Sequence, residues 1–298
     1  MICASRVRDP CPVAPTLDDY TAQVLPVFRL RHEPGQRPKP EAFCGTGFVL
    51  EGNVFVTCRH CVEAAVPDDE FYAAIVKATA PDGTTTTRYL PLADLEPDGN
   101  RTDLAIARIE CSPRAGLVLT QQPPQAGEDV FTYGYPLVPP RPVAQYDGRR
   151  VFPDVNPRYL RGYITQVFRY PEPSGRVIPS IEIDMPAPGG LSGAPLLRAG
   201  TNEVVGVIYG ENEVQAIVSH ARVDETTGDR TPEIVSYTKF ALAHWTETLY
   251  AATAAALDGS TLGIRSALAH AGKWSAWPGP SQKDEGEAEV LGPVPRSH

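Results

Sequence analysis

The stretch Pro188-Gly189-Gly190-Leu191-Ser192-Gly193-Ala194-Pro195-Leu196 places a serine in a glycine-rich turn between two β-rich runs, residues 177–184 before it and 194–197 after it. Glycines permit the positive-φ or tightly turned backbone that points neighbouring amides at one spot. Amides aimed in that way, here those of Gly190 and Ser192, would stabilise the charge that develops on a carbonyl oxygen during acyl transfer. A serine hydroxyl is a poor nucleophile unless a base takes its proton, so the turn calls for a histidine and for a third group to orient it.

Of the six histidines, His60 has the most suitable setting. It follows the β-rich run Phe55-Val56-Thr57-Cys58-Arg59, where a strand ends and presents the next side chains on a loop. Asp103, in Arg101-Thr102-Asp103-Leu104-Ala105, stands where a loop enters an apolar strand, a suitable place for a partly buried carboxylate that fixes the tautomer of the imidazole. Asp94 and Asp98 are nearby rivals. Each of the three residues also has an ordinary reading: a tight turn, a structural histidine, a carboxylate capping a loop. The catalytic reading rests on their joint occurrence.

Outward from these residues the chain reads as all-β. The 31 prolines and 25 glycines are more punctuation than a helical protein tolerates. Further strands are expected at residues 22–30 (an edge strand, because of Pro26), 43–50, 54–57, 71–79, 84–90, 104–109, 130–135, 160–170, 204–209, 214–221 and 234–239. A linker is expected near 111–127 and a long surface loop over 136–157. Phe240, Leu242, Ala243, Trp245, Leu249 and Tyr250 recur at three-to-four spacing, which predicts a C-terminal amphipathic helix. The expected organisation is a lead (1–15), a first β unit with His60 and Asp103 (16–123), a second with Ser192 (124–240), a helical segment (241–272) and a polar tail (273–298).

A net charge of −9 with a pI near 5.2 argues against a nucleic-acid binder, which needs a concentrated basic face. No apolar run is long enough to span a membrane. The opening residues lack the apolar core of an export signal, which leads to the expectation of a cytoplasmic protein. Six cysteines confined to the first half do not make a disulfide scaffold. Cys58-x-x-Cys61 has no second pair to complete a zinc site, so neither metal nor cofactor is expected.

Thr57-x-x-His60-Cys61, Thr102-Asp103-Leu104-Ala105-Ile106 and Gly190-Leu191-Ser192-Gly193-Ala194-Pro195-Leu196 resemble, in order, the three catalytic motifs of the trypsin/chymotrypsin superfamily. Gly45-Thr46-Gly47-Phe48, the segment 127–136 and Val205-Gly206-Val207 extend the likeness over most of the chain. In style it is most similar to bacterial trypsin-like members, the HtrA-like protease domain among them. The resemblance implies two antiparallel Greek-key β-barrels with a C-terminal helix. It also implies a serine endopeptidase working through His60, Asp103 and Ser192 with an oxyanion hole of Gly190 and Ser192, and a protein or peptide as substrate.

By position in the family, Pro186 would lie at the base of the specificity pocket, with Tyr209, Gly210 and Glu211 as one wall. No acidic residue falls at that base, so a small or apolar residue before the scissile bond is expected. Cysteines placed like Cys44 and Cys61 often form a disulfide in the superfamily, and such a bridge would imply export. Leu191 stands where digestive members carry the aspartate that pairs with a new amino terminus, so activation by N-terminal cleavage is not expected. The residues after Tyr250 are too few for the peptide-binding domain of HtrA proteins. The alternative reading is a catalytically inactive module that keeps the barrels and holds peptides in the cleft.

Overall fold

A computed structural model describes residues 20–63, 66–79, 85–100, 102–110, 116–137, 155–171, 177–219, 222–223, 230–231 and 234–264. The first six strands, β1 (Val24–Arg31), β2 (Lys39–Leu50), β3 (Val54–Cys58), β4 (Glu70–Thr79), β5 (Thr85–Pro97) and β6 (Leu104–Ile109), close into an antiparallel barrel in the order β1-β2-β3-β6-β5-β4.

A second sheet contains β7 (Val118–Leu119), β8 (Asp129–Gly134), β9 (Arg158–Pro171), β10 (Val177–Ile183), β11 (Pro195–Arg198), β12 (Glu203–Ser219) and β15 (Ile234–Trp245). Its order is β11-β8-β9-β10-β15-β12-β7. An additional β11–β12 pairing joins the ends of six of these strands into a second ring and leaves β7 as an appendage. The short pair β13 (Arg222–Val223) and β14 (Arg230–Thr231) stands apart. The chain is therefore an all-β double barrel, as the resemblance implies.

Alternation along the strands divides the apolar residues between three main cores and a small fourth one of Phe28, Leu30, Ala73 and Ile75 on β1 and β4. In the first barrel Leu25, Val49, Phe55, Ala107 and Ile109 fill the interior, and Ile164, Ile181, Ile183, Leu196, Val205 and Ile208 fill that of the second. The opposite faces of β2, β3 and β6, with Phe48, Val54, Val56, Cys58, Leu104 and Ile106, pack on Phe131, Tyr133, Leu197, Val204 and Val207 between the barrels. All five residues of β3 are buried. Burial of each such large apolar side chain contributes about 1.5–3 kcal/mol, so the junction is as firmly built as the barrels it joins.

Three expectations need correction. Residues 240–245 are strand, the end of β15, and the helix α1 is confined to Thr246–Ala251. Ala241 to His244 are buried without interruption between β10 and β12, so no alternation marked them as strand. β1 is not an edge: it pairs with β2 and β4. Pro26 is accommodated because pairing with β4 begins only at Val27, which leaves its missing N–H uncalled for. Val118–Leu119, within the expected linker, instead joins the second sheet in parallel with β12. The lead, the tail, Cys3, Cys11, Cys111 and most of the loop over 136–157 lie outside the described residues.

Candidate active site

Register sets the first two side chains. β3 pairs with β6 so that Cys58 lies opposite Leu104, and a 3-10 turn, Arg59–Cys61, follows directly. The Arg59 N–H donates to the Asp103 carbonyl at 3.1 Å, which stitches the turn to the entry of β6. His60 and Asp103 thereby face each other at two adjoining strand ends. The His60 backbone N–H donates to Asp103 Oδ1 at 3.0 Å, and Nδ1 lies 2.7 Å from Oδ2. Two contacts from one carboxylate fix both the position and the tautomer of the ring, leaving Nε2 as the nitrogen able to accept a proton. Asp103 beside it, with a further contribution from Cys61, raises the imidazole to about 10 against an opposing effect of burial.

The rival aspartates have other partners. Asp94 is paired with Arg108. Asp98, buried, accepts from Thr102 Oγ1 at 2.6 Å, Asn100 N at 3.1 Å and Thr253 N at 2.9 Å, and so organises the loop before Asp103.

The serine turn is held by the first barrel. The Thr46 N–H donates to the Ser192 carbonyl at 2.9 Å, and Thr46 Oγ1 donates to the Gly190 carbonyl at 2.7 Å while accepting from Tyr135 N at 3.0 Å. Cys61 Sγ also donates to the Ser192 carbonyl at 3.6 Å, which docks the histidine turn against the serine turn. Gly193, at φ +87, fits so closely that an added Cβ would stand 2.0 Å from the Thr46 carbonyl. Gly190 has φ +92, the left-handed region that glycine enters freely. The Gly189 carbonyl accepts from Leu137 N at 2.6 Å. In a trans peptide the N–H opposes the carbonyl, so the Gly190 N–H points away from Leu137. Neither the Gly190 nor the Ser192 N–H donates a hydrogen bond among the described residues.

The Ser192 hydroxyl is not hydrogen-bonded to His60 among the described residues. Catalytic contacts of this kind are often long in the absence of substrate and tighten when it binds.

The expected pocket residues are placed as follows. Pro186 is exposed. The Tyr209 ring stacks on His244 at 4.3 Å, and its hydroxyl lies 3.4 Å from Ser180 Oγ. Gly210 faces open space, and Glu211 pairs with Lys239 at 2.5 Å. Cys44, Cys58 and Cys61 are free thiols, and burial pushes Cys44 up to about 11.

Thr46 and His244, near the site, escaped sequence reasoning as site residues, and Cys58 entered it only with Cys61, as half of a zinc site. Thr46 carried a signal in its placement between two glycines. His244 carried none, being one of four consecutive buried residues of β15. It is 2% exposed, neither ring nitrogen has a hydrogen-bond partner among the described residues, and burial lowers it to about 4, with Asp103 opposing and His60 adding to the shift.

A model of the trypsin-like peptidase domain matches residues 45–207, a span that includes His60, Asp103 and Ser192. No curated protein matches the sequence. Among solved structures the chain is similar to the Rv3671c protease of M. tuberculosis in its inactive form, at 18% identity over 80% of this chain and 92% of that one, with a TM-score of 0.47. It is similar to the active form of that protease at 18% identity over 80% and 84%, with a TM-score of 0.45. The HtrA-type protease AlgW with a decapeptide matches at 16% identity over 76% and 62%, with a TM-score of 0.47. With the domain match covering more than half of its length, the chain belongs to the trypsin-like peptidase family.

Proposed function

We propose that the protein is a serine endopeptidase in which Ser192 is the nucleophile, His60 the general base and Asp103 the group that orients the base. The observation that carries this reading is the double hydrogen bond from His60 to one carboxylate, beside a serine turn whose two amides are unspent among the described residues. In the reaction His60 Nε2 takes the Ser192 proton as Oγ adds to the scissile carbonyl. The N–H groups of Gly190 and Ser192 receive the oxyanion, and the imidazolium, balanced by Asp103, protonates the leaving amine. Water then enters the acyl-enzyme by the same steps in reverse roles. The substrate is a protein or peptide, and Pro186, Tyr209, Gly210 and Glu211 border its side chain before the scissile bond. The free thiols go with a reducing compartment, and we place the protein in the cytoplasm.

The unmade Ser192–His60 hydrogen bond favours a second reading, an inactive module that binds peptides in the cleft. Incubating a peptide library with the wild type and with Ser192→Ala separates the two. Cleavage by the wild type alone supports the peptidase. Binding of peptides by both proteins, with no new termini from either, supports the module.

A further inference from the structure

Cys58 is a buried thiol that the proposed reaction does not use. It ends β3 on the face turned to the second barrel, 0% exposed, and its Sγ donates to the Ile208 carbonyl at 3.3 Å. This sulfur, a ring nitrogen of His60 and a carboxylate oxygen of Asp103 all lie within 4.8 Å of one another. The side chains of His60 and Asp103 keep 45% and 25% of their exposure, so the cluster has a dry floor and a wet mouth. Cys61 is turned instead to the Ser192 carbonyl, so the Cys58-x-x-Cys61 pair is not what assembles here.

We propose that Cys58, His60 and Asp103 form a site for a zinc-class divalent cation, and that its occupation switches the peptidase off. One thiolate, one imidazole and one carboxylate are the donors that such a cation selects over magnesium or calcium. Bonds of about 2.0–2.3 Å in a tetrahedron set ligand atoms about 3–4 Å apart, within the span of the cluster. The His60–Asp103 contact opens slightly to admit the ion, which the half-exposed ring allows. Water takes the fourth position, on the exposed side.

The protons and charges balance. The Cys58 thiol gives its proton to solvent, and the cation binds the sulfur, Nδ1 and the carboxylate. A cationic ring releases its Nδ1 proton to solvent and keeps the one on Nε2, whereas a neutral ring moves its single proton from Nδ1 to Nε2. The thiolate and carboxylate together neutralise the doubly charged ion. With Nε2 protonated, the ring cannot accept the Ser192 proton. The binding half of the proposal is independent of the proposed function, whereas the inhibitory half rests on it.

Cobalt(II) added to the Ser192→Ala protein tests binding without turnover. One equivalent should produce a near-ultraviolet thiolate-to-cobalt absorption and tetrahedral visible bands, absent in the Cys58→Ala/Ser192→Ala protein. That substitution leaves the Ile208 carbonyl its 2.8 Å bond from Gly193 N, and near-ultraviolet circular dichroism checks that the fold persists. Zinc should inhibit the wild type reversibly with a chelator, and Cys58→Ala should need about tenfold more zinc or beyond for the same inhibition. Cobalt bands that survive loss of Cys58, or none in the folded Ser192→Ala protein, overturn the site. Equal zinc sensitivity of wild type and Cys58→Ala overturns the inhibitory role. A wild type without peptidase activity refutes the proposed function and leaves the cobalt spectrum to judge the site.

Discussion

Replacing His244 by phenylalanine should remove an acid sensitivity that this side chain builds into the fold. Its imidazole, buried among β10, β12 and β15 with neither nitrogen hydrogen-bonded among the described residues, is lowered from 6.5 to about 4. A base depressed in the folded state is neutral there while its unfolded counterpart takes up a proton, so stability falls as pH drops from about 6.5 toward 4. The full shift corresponds to about 3 kcal/mol, of which about 2 kcal/mol is already lost at pH 5.

The His60–Asp103 pair has the opposite sign. Its stabilisation is complete below the ordinary histidine value and is lost as pH rises toward about 10. Being present in both proteins, it cancels in the comparison. Urea unfolding followed by tryptophan fluorescence at pH 7.5 and pH 5 gives the difference directly. The wild type should lose about 2 kcal/mol more than His244→Phe between the two conditions. Phenylalanine can keep the stack on Tyr209, and His244→Leu serves as a second replacement. An equal loss in wild type and both variants would refute the argument from burial.

Other outcomes follow from the same geometry. Thr46→Val removes the donor to the Gly190 carbonyl and the acceptor of Tyr135 N. It should cost about 2–4 kcal/mol, read by urea unfolding, and should lower kcat more than it raises KM. Gly193→Ala forces a Cβ against the Thr46 carbonyl at positive φ and should cost about 3 kcal/mol or more, read by thermal unfolding. The acid limb of the kcat/KM profile should lie above the ordinary histidine value, because Asp103 holds the His60 proton. Asp103→Asn should move that limb down toward 6.5 and slow turnover by about 10⁴-fold, since an amide no longer enforces the tautomer.

The β3 strand was legible because Val54–Thr57 is rich in β-formers, and β6 because Leu104–Ile109 alternates as a strand does, with a polar break on either side. The three candidate residues could be singled out because each stands at a strand end or a glycine turn, where side chains are released from the sheet. What was not legible depends on pairing partners. Residues 240–245 carry a helical spacing that only their burial between two strands overrules. Residues 203–219 read as two strands because Gly210 and Glu211 interrupt the apolar run, yet β12 continues through them against β15. The position of Cys58 arises where one barrel touches the other, across a separation of 150 residues, and no local pattern announces that contact; the glycines around Thr46 mark a close approach but do not name Gly190 as its partner.

The proposed reaction requires that Ser192 be activated by His60 next to two amides that donate to no described residue. A fluorophosphonate probe, with the adduct mapped by tandem mass spectrometry, tests it most directly. One adduct is expected on the Ser192 hydroxyl of the folded wild type, with labelling abolished in His60→Ala. Labelling at any other residue, labelling that survives loss of His60, or a folded wild type that takes up no probe would contradict it.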